Sequence, residues 1–299
     1  MTTLTSEASA QAAWATVLAS PEAVARRDRE GWLALFADDA RLEDPVGSRP
    51  VVGRPALARF WDVFIAPQRA VRFTPRADVV RPDRVVRVVT IVTETPVGPE
   101  PLEVPAIIDY RLASGRIAQL RAYWEPWRTV AWHLARPRGV MSLARHGGRM
   151  VGGLGVGSAL AFARALRPTA GARAGERAAE ALAEAVRSPE AWRSWCAGVD
   201  VAVDGAGAER ITDVETAWRG GLAGAPALKV ALALRAGAEV AVHLTGGGRS
   251  AVALLAVEHG RVARLDWTWA SRQPRDPRVP ARAGRPSTRA PADGRSSSS

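Results

Sequence analysis

The stretch GWLALFADDARLEDPVG (residues 31–47) sets the reading of this chain. Trp32, Leu33, Leu35 and Phe36 put apolar side chains on one side of a helical turn or two. Arg41-Leu42-Glu43-Asp44 then reads as a short extended segment, stopped by Pro45-Val46-Gly47. Upstream, residues 10–18 are rich in Ala and Leu, and Ser20-Pro21-Glu22 carries the marks of a helix start, Ser as N-cap and Pro at the first helical position. Downstream, Leu57, Phe60, Trp61 and Phe64 recur at spacings of three and four. From residue 70 the period becomes two. Residues 70–79, 85–95, 102–112 and 116–124 read as strands separated by Pro, Gly and Asp turns. Helices first and antiparallel strands after predict an α+β fold.

The pattern recurs. GRIAQLRAYW (115–124) and GRVARLDWTW (260–269) share five of ten positions. Residues 32–44 lie without gaps on residues 192–204, with Trp32 on Trp192 and Asp44 on Asp204, and Ser188-Pro189-Glu190 repeats the earlier helix start. Two matches in the same order point to duplication, and the period is far too long for a solenoid. Further strand-like runs cover residues 199–203, 228–234, 239–244, 251–257 and 261–269. The expected organisation is therefore a first domain at 1–128, an Arg/Gly-rich linker with short helices at 129–175, a degenerate second copy at 176–272, and a disordered basic tail at 273–299.

At 299 residues the length suits about two domains, and 47% apolar with 24% charged residues is ordinary for a globular protein. The net charge of +11 first suggests nucleic acid or an anionic membrane. Its distribution narrows that. The two domains carry +1 and −1, the linker +7 from seven Arg and no acid, and the tail +4. No nucleic-acid partner is expected for the domains. The linker, with Trp132, Met141, Leu143 and Phe162 among its Arg, is expected to meet an acidic membrane surface or an acidic partner. A single Cys, Cys196, excludes an internal disulfide and reads as a small buried hydrophobe. The N-terminus lacks a secretory pattern, and the longest uncharged apolar-leaning run, residues 150–163, is shorter than the ~20 residues a membrane span needs; a cytoplasmic location is expected. His133 and His146 read as solvated or capping groups in the linker. Gly153, Gly155 and Gly157 lack the last Gly of a dinucleotide fingerprint.

The stretch 31–47 resembles the opening of ketosteroid isomerase, within the superfamily of nuclear transport factor 2 and the SnoaL-like polyketide cyclases. LFADDA (35–40) is common across the superfamily, and EDPVG (43–47) points to the isomerase branch. PAIIDYR (105–111) is similar to the isomerase strand that bears a second acid. The resemblance implies a cone-like fold, with helices packed in the hollow of a curved antiparallel sheet. It also implies pairing of two copies as an intramolecular pseudo-dimer or a homodimer, an apolar small-molecule substrate such as a steroid- or polyketide-like ketone, and no metal or cofactor. By motif match Asp44 is the general base and Asp109 the oxyanion-hole acid. Trp14, Phe36, Phe60, Trp61 and Trp124 are the candidate substrate contacts. The family's oxyanion-hole Tyr has no counterpart: its position falls on Ser20, or on Trp14 if residues 21–26 are an insertion. In the second copy Leu254 takes the place of Asp109. The functional expectation is a proton-transfer isomerase, the alternative a non-catalytic binding or scaffold protein of the same fold.

Overall fold

The structure is a computed structural model in which residues 2–166, 171–204, 210–222 and 227–269 are described. The tail expected at 273–299 and the Gly-rich turn after Asp204 lie outside the described residues, as does the side chain of Asp204. Two six-stranded sheets organise the chain, each with helices against one face. In the first, β1 (Phe36–Glu43), β2 (Val51–Val52), β3 (Ala70–Val80), β4 (Arg84–Glu94), β5 (Leu102–Ala113) and β6 (Arg116–Tyr123) lie in the order β2-β1-β6-β5-β4-β3. In the second, β7 (Asp200–Asp204), β8 (Arg210–Ile211), β9 (Lys229–Ala236), β10 (Glu239–Gly246), β11 (Arg249–Glu258) and β12 (Arg261–Trp269) repeat that order as β8-β7-β12-β11-β10-β9. In each sheet one junction is parallel, β1 with β6 and β7 with β12. The α+β class and the duplication read from the sequence thus hold at the level of strand order.

The first cup is filled by α1 (Thr2–Arg26), α2 (Arg29–Ala34), α3 (Arg54–Phe60) and a π-helical turn, Trp61–Ile65. Its core gathers Trp14, Val17, Trp32, Phe36, Leu57 and Trp61 against Val85, Val89 and Ile117. Ser20 does not cap a helix here. Helix α1 runs through Pro21, and the Ser20 hydroxyl turns inward to accept a hydrogen bond from the Trp32 indole at 3.2 Å. In the second copy the same tripeptide does start a helix, with the Ser188 hydroxyl accepting from the Ala191 amide at 3.1 Å. That cup is filled by its own large side chains. Trp192, Trp267, Leu222 and Leu228 are fully buried, and Cys196 packs among them with its thiol pushed up to about 12 by burial.

Residues 126–165 form three helices, α4 (Pro126–Leu134), α5 (Gly139–Leu154) and α6 (Val156–Ala165), over the mouth of the first cup. Helix α5 passes straight through four glycines despite their weak helix propensity. Gly153 has a packing reason. A Cβ there would lie 2.6 Å from Cγ2 of Val63, so the missing side chain lets α5 sit close on the π-helical turn.

The outer faces of the two sheets meet. Val79, Val86, Val88, Ile107 and Tyr123 pack against Leu234, Ala236, Ala241, Val252 and Leu254. At Gly47 and Gly237 the backbones approach so closely that a Cβ on Gly47 would lie 2.6 Å from the Gly237 Cα. Ion pairs ring this apolar contact. Arg84 holds Asp109 and Asp266, each at 2.7 Å, and Arg121 holds Glu239 at 2.7 Å. The strand registers relate these pairs. Val86–Asp109–Arg121 stand side by side in one sheet where Ala241–Leu254–Asp266 stand in the other. Arg84 therefore corresponds to Glu239, and Arg121 to Asp266. The two bridges are one contact made twice about a pseudo-two-fold axis, with the signs exchanged.

Candidate active site

Strand alternation decides what enters the hollow of the first cup. Along β5, Leu102, Val104, Ile108 and Tyr110 face inward, while Ile107 and Asp109 face the second sheet. A cavity of about 250 Å³ results. Its walls are mostly apolar, with Phe60, Phe64, Phe73, Ile108, Leu120 and Phe162 prominent. Helices α4 to α6 close it on one side through Thr129, His133, Leu143, His146 and Phe162.

Asp44 lies at the end of β1 on this cavity, half-buried. The Asp44–Pro45 bond is cis, and the Val46 amide that follows donates to the Ala122 carbonyl at 2.9 Å. Burial raises the Asp44 carboxyl to about 6, against a smaller opposing effect of the Trp124 indole, which donates to Oδ1. Its strand neighbour Glu43 points the other way, to Arg41 and Arg121 at the inter-sheet surface.

A second polar group faces the same space. The Tyr110 phenol lies beside Ser20, whose oxygen accepts from the Trp32 indole, so side chains from α1, α2 and β5 meet here. Burial pushes Tyr110 up to about 12, which keeps it protonated at neutral pH. His133 and His146 are cavity-wall residues rather than solvated ones. The His133 Nδ1 is paired with the Thr129 carbonyl at 2.8 Å, and burial lowers His146, with Arg149 and His133 adding to the effect. Among the described residues no group of three or more His, Cys, Asp or Glu is gathered in a way that could hold a metal.

Of the residues picked from the sequence, the structure brings Asp44, Phe60 and Trp124 together at the cavity. It removes Asp109. That carboxylate is 1% exposed on the opposite face of β5, bidentate to Arg84, and has no path to the hollow. Trp14, Phe36 and Trp61 are buried core rather than lining: Phe36 and Trp61 pack on Trp32 with ring centroids 4.5 and 5.5 Å away, and Trp14 lies under Arg87. Tyr110 was missed because Asp109, one residue earlier, drew the motif match. The even-numbered apolar run Leu102, Val104, Ala106 and Ile108 was the signal that would have placed it inside.

Residues 17–120, which build this cup, match the family model of the SnoaL-like domain. Residues 17–120 form a SnoaL-like domain. Solved structures similar to this domain include a Δ5-3-ketosteroid isomerase from a Mycobacterium species, with 35% identity over 38% of this chain and 94% of that one and a TM-score of 0.36. A Mycobacterium tuberculosis protein crystallised with estradiol-17β-hemisuccinate has 31% identity over 38% and 94%, also at 0.36. The epoxide hydrolase/cyclase-like enzyme SalBIII of salinomycin pyran-ring formation has 20% identity over 38% and 91%, at 0.35. The SnoaL-like domain thus accounts for about a third of the chain, and the second sheet repeats its strand order. No helix of the described chain is long and apolar enough to cross a membrane.

Proposed function

We propose that the SnoaL-like domain is a proton-transfer enzyme acting on an apolar ketone, steroid- or polyketide-like, with Asp44 as general base. The observation that carries this is a lone carboxyl in an apolar cavity, raised to about 6, where it is both ionised at neutral pH and basic enough to take a proton. Asp44 removes a proton from the carbon beside the carbonyl, and the electron pair moves onto the ketone oxygen as an enolate. The proton then returns to a carbon further along the conjugated system, so the reaction needs no other reactant. The enolate oxygen requires a donor. Asp109 is not available, and Tyr110, which lines the cavity beside Ser20, takes the role.

Substituting Asp44→Asn and following 5-androstene-dione conversion by ultraviolet absorbance tests the reading. Turnover should fall by about 10²–10⁴-fold. In the unaltered protein kcat/KM should rise with pH through about 6 and then level off. Full activity in Asp44→Asn would remove the base. The alternative is a protein that only holds such a ligand, favoured by Ser20 standing at the family's tyrosine position. Saturable quenching of Trp fluorescence by the ketone, without conversion, would establish it.

A further inference from the structure

Among the described residues eight large apolar side chains are exposed, and seven of them lie on the three helices over the cavity: Trp127 and Leu134 on α4, Val140, Met141 and Val151 on α5, Val156 and Leu160 on α6. They share one helical face in each case. On α5 the inward set Leu143, His146 and Met150 faces the domain, while Val140, Met141, Arg145 and Val151 face out. On α6 Phe162 points in, and Val156, Leu160 and Arg164 point out. Residues 126–165 contain six Arg and no acid. Arg138, Arg145, Arg149 and Arg164 are exposed. Apolar side chains interleaved with arginines on the outer faces of consecutive helices match the physical description of an interfacial membrane surface.

We infer that α4 to α6 dock the protein on an anionic phospholipid bilayer, with the cavity lying directly behind the docked helices. Charge complementarity selects this occupant. Arg138, Arg145, Arg149 and Arg164 are exposed on this face, beyond Arg128 and Arg136, which pair with Glu125 and Glu100; that surplus repels a second copy of itself and attracts acidic headgroups, while Val140, Met141, Val156 and Leu160 gain by entering the acyl boundary. A nucleic acid would satisfy the arginines but leave the apolar side chains in water. The arrangement also gives the cavity a purpose-built route: its wall is the inner face of the helices that touch lipid, where an apolar ketone partitions. The docking does not depend on the catalytic reading, and its test has no activity readout.

The full chain is sedimented with phosphatidylglycerol–phosphatidylcholine vesicles and with pure phosphatidylcholine vesicles. Binding is expected to the first and at least tenfold weaker to the second. The combined Val140→Ser, Met141→Ser and Leu160→Ser variant keeps every charge, the basic tail included, and should bind the anionic vesicles at least tenfold more weakly with an unchanged melting profile. Arg138→Gln, Arg145→Gln and Arg164→Gln should together weaken binding by about fivefold per arginine. Absence of binding by the unaltered chain overturns the proposal. So does equal binding by the triple-serine variant, which would leave only diffuse attraction to the tail. A concentration-dependent dimer that the triple-serine variant abolishes would assign the face to a second copy instead.

Discussion

Replacing Asp44 by Asn is expected to make the protein more stable as well as inactive. In the folded state burial raises this carboxyl from an ordinary value of 3.8 to about 6. Between those two pH values the folded chain keeps the proton and the unfolded chain releases it, so rising pH favours unfolding. At about 1.4 kcal/mol per pKa unit, the penalty reaches on the order of 3 kcal/mol once pH exceeds about 6, and it vanishes below about 4. An Asn side chain never bears that charge, and its carbonyl oxygen can still accept the Trp124 indole proton. The stability gap between Asp44→Asn and the unaltered protein should therefore open from near zero at about pH 4 to about 3 kcal/mol at pH 7. Urea unfolding at a series of pH values between those limits measures it directly, provided the unfolding slope m stays constant. A variant no more stable at neutral pH, or a gap that does not change with pH, would refute the claim that the cavity strains this carboxylate.

Other residues make sharp demands on the same model. Tyr110→Phe removes the proposed enolate donor and should lower kcat by about 10²–10³-fold with the fold intact by circular dichroism; unchanged kcat would exclude Tyr110 from the chemistry. Arg84→Met strands the buried Asp109 and costs about 3–5 kcal/mol in urea unfolding, whereas the Arg84→Met/Asp109→Leu pair, which copies Leu254 of the second sheet, should recover at least half of the loss. A single variant within about 1 kcal/mol of the parent would mean the bridge is unimportant. Gly153→Ala pushes a methyl group into Val63 and should destabilise by about 1–3 kcal/mol, read as a lowered melting midpoint.

The architecture was legible because it rests on local periodicity. The period-two runs at 70–79, 85–95, 102–112 and 116–124 became β3 to β6 with ends shifted by a residue or so, and two matched segments in order foretold a second sheet of the same topology. The site was legible at Asp44 and Trp124, where a motif and a strand end coincide, and at Phe60, through its helical spacing. Asp109 shows the limit. The motif gave its likeness, but which face of β5 meets the hollow is set by pairing with β4 and β6, and the guanidinium that claims it lies 25 residues away on another strand. Ser20 and Pro21 show another. The same tripeptide starts a helix at 188–190 and sits inside one at 20–22, because α1 packs along the sheet and Trp32 offers the serine a partner. The Arg/Gly-rich segment 129–175 read as a linker with short helices, since its glycines weaken any helical pattern; only the structure shows the packing reason for one of them, the close approach of Gly153 to Val63 on the π-helical turn.

The sign-exchanged bridges between the sheets act as a lock that recognises its own chain. Two first sheets brought together about the same axis would set Arg84 against Arg121, and two second sheets would set Glu239 against Asp266. Both homotypic pairings bury like charges; only the mixed pairing neutralises them. Duplication onto one polypeptide makes the pairing intramolecular, so it survives dilution that would separate two free subunits. Freed from matching itself, each half could then change alone: one kept an apolar hollow with a carboxyl at its rim, and the other filled its hollow with tryptophan.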